Sequence, residues 1–106
     1  MTLDDYAAWA AGLRGGRPAA EGDAADDRLY LAYLGLGLAG ESGEVVEHVK
    51  KLLRDGRWDP AAVAEELGDL IYYWACLCAA TGTAPSALLQ ASARKIAARS
   101  GAALPG

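Results

Sequence analysis

Four acidic side chains in this chain of 106 residues are spaced so that together they could bind a cation. Glu41 and Glu44 form one pair, and Glu66 and Asp69 form a second pair with the same spacing. Residues three apart lie on one face of a helix, so each pair is expected to point both carboxylates the same way. Like charges aimed at one region repel, which predicts a cation between them. Hard oxygen ligands favour Mg²⁺ or Mn²⁺ over Zn²⁺ or copper.

Basic side chains near these acids could contact a phosphate. At about 100° per residue, Lys51 falls on the helix face that carries Glu41 and Glu44. Lys95 and Arg99 are four residues apart, share a face of a later predicted helix, and could neutralise further phosphate charge. A carboxylate-held cation with nearby Lys and Arg is the combination that a polyphosphate requires. The alternatives are a solvated helix face for either acid pair alone, and helix C-terminal charge for the bases.

Other side chains could support such a site. Tyr73 and Trp58 are candidates for stacking on a nucleobase, with packing in the core as the alternative. His48 lies on the acid-bearing face and is interpreted as structural or as a neighbour of the site. Glu65 points about 100° away from Glu66, so replacing it by Gln is expected to spare activity.

The elements that position these residues are predicted to be helices only. Alanine and leucine dominate, β-branched residues are sparse, and no segment alternates apolar and polar residues. Asp59 followed by Pro60 is a typical helix start. The predicted helices run from near Thr2 to Leu13, from Asp26 or Asp27 to Asp55, from Pro60 to about Ala80, and from Pro85 to about Arg99.

The connections between these helices are a loop over residues 15–23, a short turn before Asp59 and a turn at Thr81-Gly82; the tail after Arg99 is predicted to be unstructured. The short connection between Asp55 and Asp59 implies two antiparallel helices. The two acid pairs could then meet across the bundle.

One motif in the chain is interpreted as a coincidence. Residues 35–40 match the glycine pattern G-x-G-x-x-G of dinucleotide-binding folds, but no second strand precedes the acid at Asp59. The glycines before Glu41 instead suggest the close approach of another backbone or a ligand. Cys76 and Cys78, the two cysteines of the chain, diverge on a helix and are expected to be buried, reduced thiols.

Composition excludes several classes of partner. The formal charge of −4 and the pI of about 4.8 argue against a nucleic acid polymer or an anionic membrane as partner. No apolar stretch is long enough to cross a membrane, and acids stand where a signal peptide would carry bases. We therefore expect a cytoplasmic, single-domain protein over residues 1–106, with its core at about 26–99, stabilised by a partner subunit.

The sequence motifs around the acids resemble those of a known family. Residues 37–45, Gly-Leu-Ala-Gly-Glu-Ser-Gly-Glu-Val, are followed by Lys50-Lys51, by residues 65–70, Glu-Glu-Leu-Gly-Asp-Leu, and by Tyr73. Their order and spacing resemble the MazG-like nucleoside triphosphate pyrophosphohydrolases, whose hallmark is E-x-x-E followed by E-x-x-D. The resemblance extends from about Leu34 to Arg99.

The resemblance implies an all-α, MazG-like helical bundle with four main helices per chain and an active site completed by oligomerisation, as a dimer or tetramer. It further implies Mg²⁺-dependent hydrolysis of a nucleoside triphosphate between the α and β phosphates. The matching metal-ligand positions are Glu41, Glu44, Glu66 and Asp69. Lys95 and Arg99 match basic positions of the family, which are usually preceded by Asn where this chain has Ser92.

Two alternatives from other classes stay open at this level. One is a non-catalytic helical oligomer that binds a nucleotide or metal ion at the acidic site without turnover. The other is a carboxylate-bridged iron or manganese bundle, although the Glu-x-x-His spacing of such proteins is absent, since Val45 lies three residues before His48.

Overall fold

The computed structural model describes residues 1–16 and 24–105, and all regular structure within them is helical, as the sequence predicts. Four α-helices follow one another: α1 (Leu3–Leu13), α2 (Ala24–Asp55), α3 (Pro60–Ala80) and α4 (Pro85–Ser100), with a short 3₁₀ turn at Arg14–Gly16. The second helix is continuous and begins slightly earlier than the predicted Asp26 or Asp27. Most of the predicted loop, residues 17–23, lies outside the described residues.

The helix ends form where the local sequence predicts them. The Thr2 hydroxyl accepts a hydrogen bond from the Asp5 N–H at 3.0 Å, and the Asp5 carboxylate accepts one from the Thr2 N–H at 2.9 Å. This reciprocal pair satisfies two backbone donors at the start of α1. At the start of α3, the Asp59 carboxylate caps the helix with a single hydrogen bond, which it accepts from the Ala62 N–H at 3.1 Å. Gly56 ends α2 at a φ of +68°, a backbone conformation that favours glycine.

The two long helices α2 and α3 form an antiparallel hairpin. Tyr33, early in α2, contacts Tyr73, late in α3, with ring centroids 5.7 Å apart. Glu41, nearer the end of α2, meets Glu66, nearer the start of α3. The first helix packs on α3, and α4 packs on α1 and α3. The glycine-rich residues 35–40 lie inside α2, which confirms that they are not a dinucleotide-binding turn.

The buried core is small for a chain of this length. Its centre is formed by Ala10, Tyr30, Leu34 and Cys76. The side chains packed around that centre are Tyr6, Tyr33, Tyr72, Tyr73 and Leu77. The radius of gyration, 16.6 Å, exceeds the roughly 13 Å of a compact domain of about 100 residues. Much apolar side-chain surface therefore stays outside the core.

None of the helices in the described part of the chain combines the length and the apolar character that crossing a membrane requires.

Candidate metal and nucleotide site

Three of the four predicted acids meet where α2 faces α3. Glu41 from α2 and Glu66 and Asp69 from α3 each offer a carboxylate oxygen, and these oxygens lie within 4.8 Å of one another. The antiparallel hairpin produces this arrangement because Glu66 and Asp69 are three residues apart and share one face of α3. Glu41 and Glu66 are half-buried and Asp69 is exposed, so the cluster is open to solvent on one side.

The electrostatics of the cluster are those of crowded negative charge. The pKa of Glu41 is raised from its ordinary value, first by burial, then by a hydrogen bond with Glu66 and by repulsion from the neighbouring carboxylates. A raised pKa means that Glu41 gives up its proton less readily in the folded protein than in the unfolded chain. The cluster therefore has the charge and the oxygen donors of a cation site.

Glu44 lies outside this group of oxygens. Its side chain is exposed on α2, although its charge contributes to the raised pKa of Glu41. A step of three residues rotates a side chain by about 60° around the helix axis. The same step keeps Glu66 and Asp69 together on α3, so the exclusion of Glu44 depends on how α2 packs against α3 and not on the spacing alone. The role of Glu44 as a ligand stays a prediction.

An aromatic layer borders the acids on one side. Tyr73 lies one turn after Asp69, and its ring meets Tyr33 edge-on at 5.7 Å and Tyr72 at 5.3 Å. The pKa of Tyr73 is raised to about 12, first by a hydrogen bond with Tyr33, then by burial and by the charge of Glu41. Trp58 lies exposed in the connection between α2 and α3. Contact of Tyr73 or Trp58 with a nucleobase stays a prediction.

The glycines before Glu41 have different surroundings from those expected. At Gly37 the space of a side chain is taken by the ring of Tyr73, so the close approach is by a side chain rather than by a backbone. A Cβ atom at Gly35, Gly40 or Gly43 would meet nothing within 4 Å. The contact between Gly37 and Tyr73 was not identified from the sequence. The only signal for it was the run of glycines itself.

The predicted phosphate contacts lie on exposed surfaces. Lys51 is exposed near the end of α2, and Lys95 and Arg99 are exposed in the second half of α4. Among the described residues, no ion pair joins any of the three to the acidic cluster. Their contact with a phosphate stays a prediction. His48 is half-buried on α2.

A separate cavity of about 320 Å³ lies between α1, α2 and α3. The Arg14 guanidinium lies over the Tyr30 ring at 4.0 Å from its centroid and pairs with Asp27 at 3.2 Å. Cys76 lines the same cavity and, like Cys78, is a buried free thiol, as predicted. The acidic cluster does not line this cavity, so the two features are distinct.

Comparison with known families connects the acidic cluster to an activity. A family model described as the MazG nucleotide pyrophosphohydrolase domain matches residues 31–102, which include the whole cluster and the aromatic layer beside it. The chain belongs to the MazG family. Neither the curated proteins nor the solved structures contained a match to the chain.

Membership in the MazG family agrees with the observed architecture and chemistry. The family is all-helical, and its proteins are hydrolases that act on nucleoside triphosphates and generally depend on divalent metal ions. The matched region begins in α2 and ends just after α4, so α1 lies outside it. The acids that converge in this chain are therefore in the region that carries the activity of the family.

Proposed function

We propose that this MazG chain hydrolyses (deoxy)nucleoside triphosphates between the α and β phosphates, giving a nucleoside monophosphate and pyrophosphate. The observation that carries the proposal is the convergence of Glu41, Glu66 and Asp69 from two helices within a MazG domain. Removal of unwanted nucleotides from the cellular pool is the biological role that we assign to this reaction. That role implies a cytoplasmic location.

The residues of the cluster fit a magnesium ion. Ligands on opposite sides of one Mg²⁺ are roughly 4 Å apart, since each Mg–O distance is about 2.0–2.1 Å. The observed oxygens lie within 4.8 Å of one another, so small side-chain rotations would suffice. Burial is the first cause of the raised pKa of Glu41, and the repulsion from Asp69, Glu66 and Glu44 that adds to it would be relieved by a dication. We propose Glu41, Glu66 and Asp69 as ligands of Mg²⁺, with Mn²⁺ as a substitute and Glu44 turning in as the fourth.

Each group of residues has a distinct role in the proposed reaction. When bound, the cation would polarise the α phosphate and stabilise charge on the pyrophosphate leaving group. A cluster carboxylate would accept a proton from the attacking water. Lys51, Lys95 and Arg99 would neutralise the remaining phosphate charge. For Lys95 and Arg99, this requires α4 of the same chain or of a second subunit to lie beside the bound phosphates.

A nucleotide panel tests the proposal directly. The full chain is incubated with Mg²⁺ and individual nucleoside triphosphates, and pyrophosphate, monophosphate and inorganic phosphate are measured separately. We expect equal amounts of pyrophosphate and monophosphate from at least one nucleotide. Release of inorganic phosphate alone, or no hydrolysis by a protein with an intact helical circular dichroism spectrum, would contradict the proposal.

Substitutions identify the acids responsible for hydrolysis. Glu41→Gln, Glu44→Gln, Glu66→Gln and Asp69→Asn should each lower kcat/KM by about a hundredfold or more, because bound metal supplies several kcal/mol of transition-state stabilisation. Glu65→Gln is the matched control, since Glu65 is exposed and adjoins the cluster in sequence without belonging to it. Calorimetry with an α,β-methylene nucleotide, which cannot be cleaved at the target bond, separates binding from turnover. Binding without turnover of any natural triphosphate would favour a nucleotide sensor.

A further inference from the structure

Two rings of the aromatic layer beside the acids each pack against a glycine: Tyr73 against Gly37 and Tyr33 against Gly15. A Cβ atom on Gly37 would lie 2.5 Å from Cδ1 and Cζ of Tyr73, and closer still to Cε1. A Cβ atom on Gly15 would likewise lie 2.7 Å from Cε1 of Tyr33. Tyr33 and Tyr73 contact each other edge-on between these two glycines. Each ring therefore occupies the space that the side chain of any residue other than glycine would fill.

The rings have little freedom to yield to an added side chain at position 37. Tyr73 is half-buried and meets Tyr72 at 5.3 Å on one side and Tyr33 at 5.7 Å on another. Tyr33 cannot move away from Tyr73 in the direction of Gly15, because its ring already packs against that residue. The φ of Gly15, +62°, belongs to the conformation that glycine favours. A methyl group on residue 37 would consequently push α2 away from α3 rather than move one ring alone.

The helix register connects this contact to the acidic cluster. Gly37 lies one helical turn before Glu41 on α2, and Tyr73 lies one turn after Asp69 on α3. In an antiparallel hairpin these two contacts form adjacent layers. The separation of α2 from α3 at the Gly37 layer therefore governs the separation of Glu41 from Glu66 and Asp69.

We propose that Gly37 is a positioning residue for the acidic cluster. Because Gly37 has no side chain, the Tyr73 ring packs directly against α2, and Glu41 then lies within reach of Glu66 and Asp69. The effect on metal binding rests on the proposed function, whereas the effect on the spacing of the acids does not. Gly37→Ala should widen the cluster even though alanine is the better helix former.

Mn²⁺ binding by the full chain without nucleotide tests the metal-binding consequence. We expect Gly37→Ala to weaken Mn²⁺ binding by tenfold or more. The matched control is Gly35→Ala, which makes the same chemical change in α2 at a site where a Cβ atom meets nothing and should bind as the wild type does. Removing the opposing ring as well, in Gly37→Ala/Tyr73→Ala, should restore most of the affinity. Equal affinities of Gly37→Ala and Gly35→Ala would overturn the proposal.

A measurement on the metal-free protein keeps the two proposals separable. Glu41→Gln removes repulsion within the cluster and should raise the unfolding midpoint in the wild-type background. In the Gly37→Ala background the increase should be at most half as large, because the acids are already apart. Equal increases in both backgrounds would overturn the positioning role, even if the wild type binds no Mn²⁺ and the proposed hydrolase function fails.

The double variant also covers the case in which Gly37→Ala does not fold. Recovery of folding and of Mn²⁺ affinity in Gly37→Ala/Tyr73→Ala would support the proposal, because only relief of the contact with Tyr73 explains both. If Tyr73→Ala alone folds and Gly37→Ala/Tyr73→Ala does not, Gly37 is required for a reason other than its contact with Tyr73, and the proposal is contradicted.

Discussion

The carboxylate of Asp4 in the first helix caps the last helix through Ser86. Its Oδ1 accepts a hydrogen bond from the Ser86 N–H at 2.8 Å, and its Oδ2 accepts one from the Ser86 hydroxyl at 2.6 Å. The residue at the N-cap position of α4 is Ala84, which offers no side-chain acceptor. An acid 82 residues away in the sequence therefore supplies the cap that α4 lacks.

Replacing Asp4 by alanine should loosen the start of α4. Loss of an N-cap interaction costs about 1 kcal/mol, so Asp4→Ala is expected to lower the free energy of unfolding by about that amount. Urea denaturation measures the change, and hydrogen exchange should localise faster opening to the first turn of α4. Ser86→Ala keeps the backbone hydrogen bond and should cost less. Additive losses in the double variant would show that the two residues act independently.

Neutralising Glu41 should stabilise the metal-free protein at neutral pH. The pKa of Glu41 is raised in the folded state above its ordinary value of 4.5. Stability from this group is therefore fully present below about pH 4.5 and is lost as the pH rises through the raised pKa. Glu41→Gln should raise the unfolding midpoint at pH 7 and flatten its dependence on pH above 4.5.

Glu65→Gln serves as the control for this pH experiment. It removes the same charge from the same region, but Glu65 is not part of the converging oxygens. We expect its unfolding midpoint to follow the pH profile of the wild type closely. In a chelating buffer, a difference in unfolding midpoint between Glu41→Gln and the wild type that does not grow as the pH rises above 4.5 would contradict the raised pKa of Glu41.

The apolar surface of α2 predicts that the chain associates with itself. Leu36 is 74% exposed, Val46 62% and Leu53 83%, and all three lie on this one helix. Each exposed side chain of this size would gain about 1.5–3 kcal/mol on full burial. Light scattering should therefore detect a dimer or tetramer, and Val46→Glu or Leu53→Glu should shift it toward a monomer. Asp55→Ala on the same helix should leave the assembly intact.

The buried thiols should react only after unfolding. Cys76 is 1% exposed and Cys78 is 3% exposed, and burial raises the pKa of each thiol. Because the thiolate is the reactive form, labelling with a disulfide reagent should be slow in buffer and reach two thiols per chain in denaturant. Rapid native labelling of both thiols at neutral pH would contradict the packing of α3.

The sequence by itself was sufficient for the helices and for the shared face of Glu66 and Asp69. Thr2, Asp59 and Gly56 mark helix ends because caps and left-handed turns depend on hydrogen bonds within one turn of the chain. The period of 3.6 residues likewise places Glu66 and Asp69 on one face of α3 without reference to any other helix. The buried thiols and the rejection of the dinucleotide motif follow from the same local reasoning.

Only the tertiary structure decided which residues meet. Glu41 converges with Glu66 and Asp69 while Glu44 remains outside this group. Which face of α2 is turned toward α3 depends on the separation and crossing of the two helices. The packing of the Tyr73 ring against Gly37 depends equally on the separation of α2 and α3. The cap from Asp4 to Ser86 depends on how α1 lies against α4. Caps and periodicity act within a turn, whereas these contacts depend on packing between helices, which the local sequence does not encode.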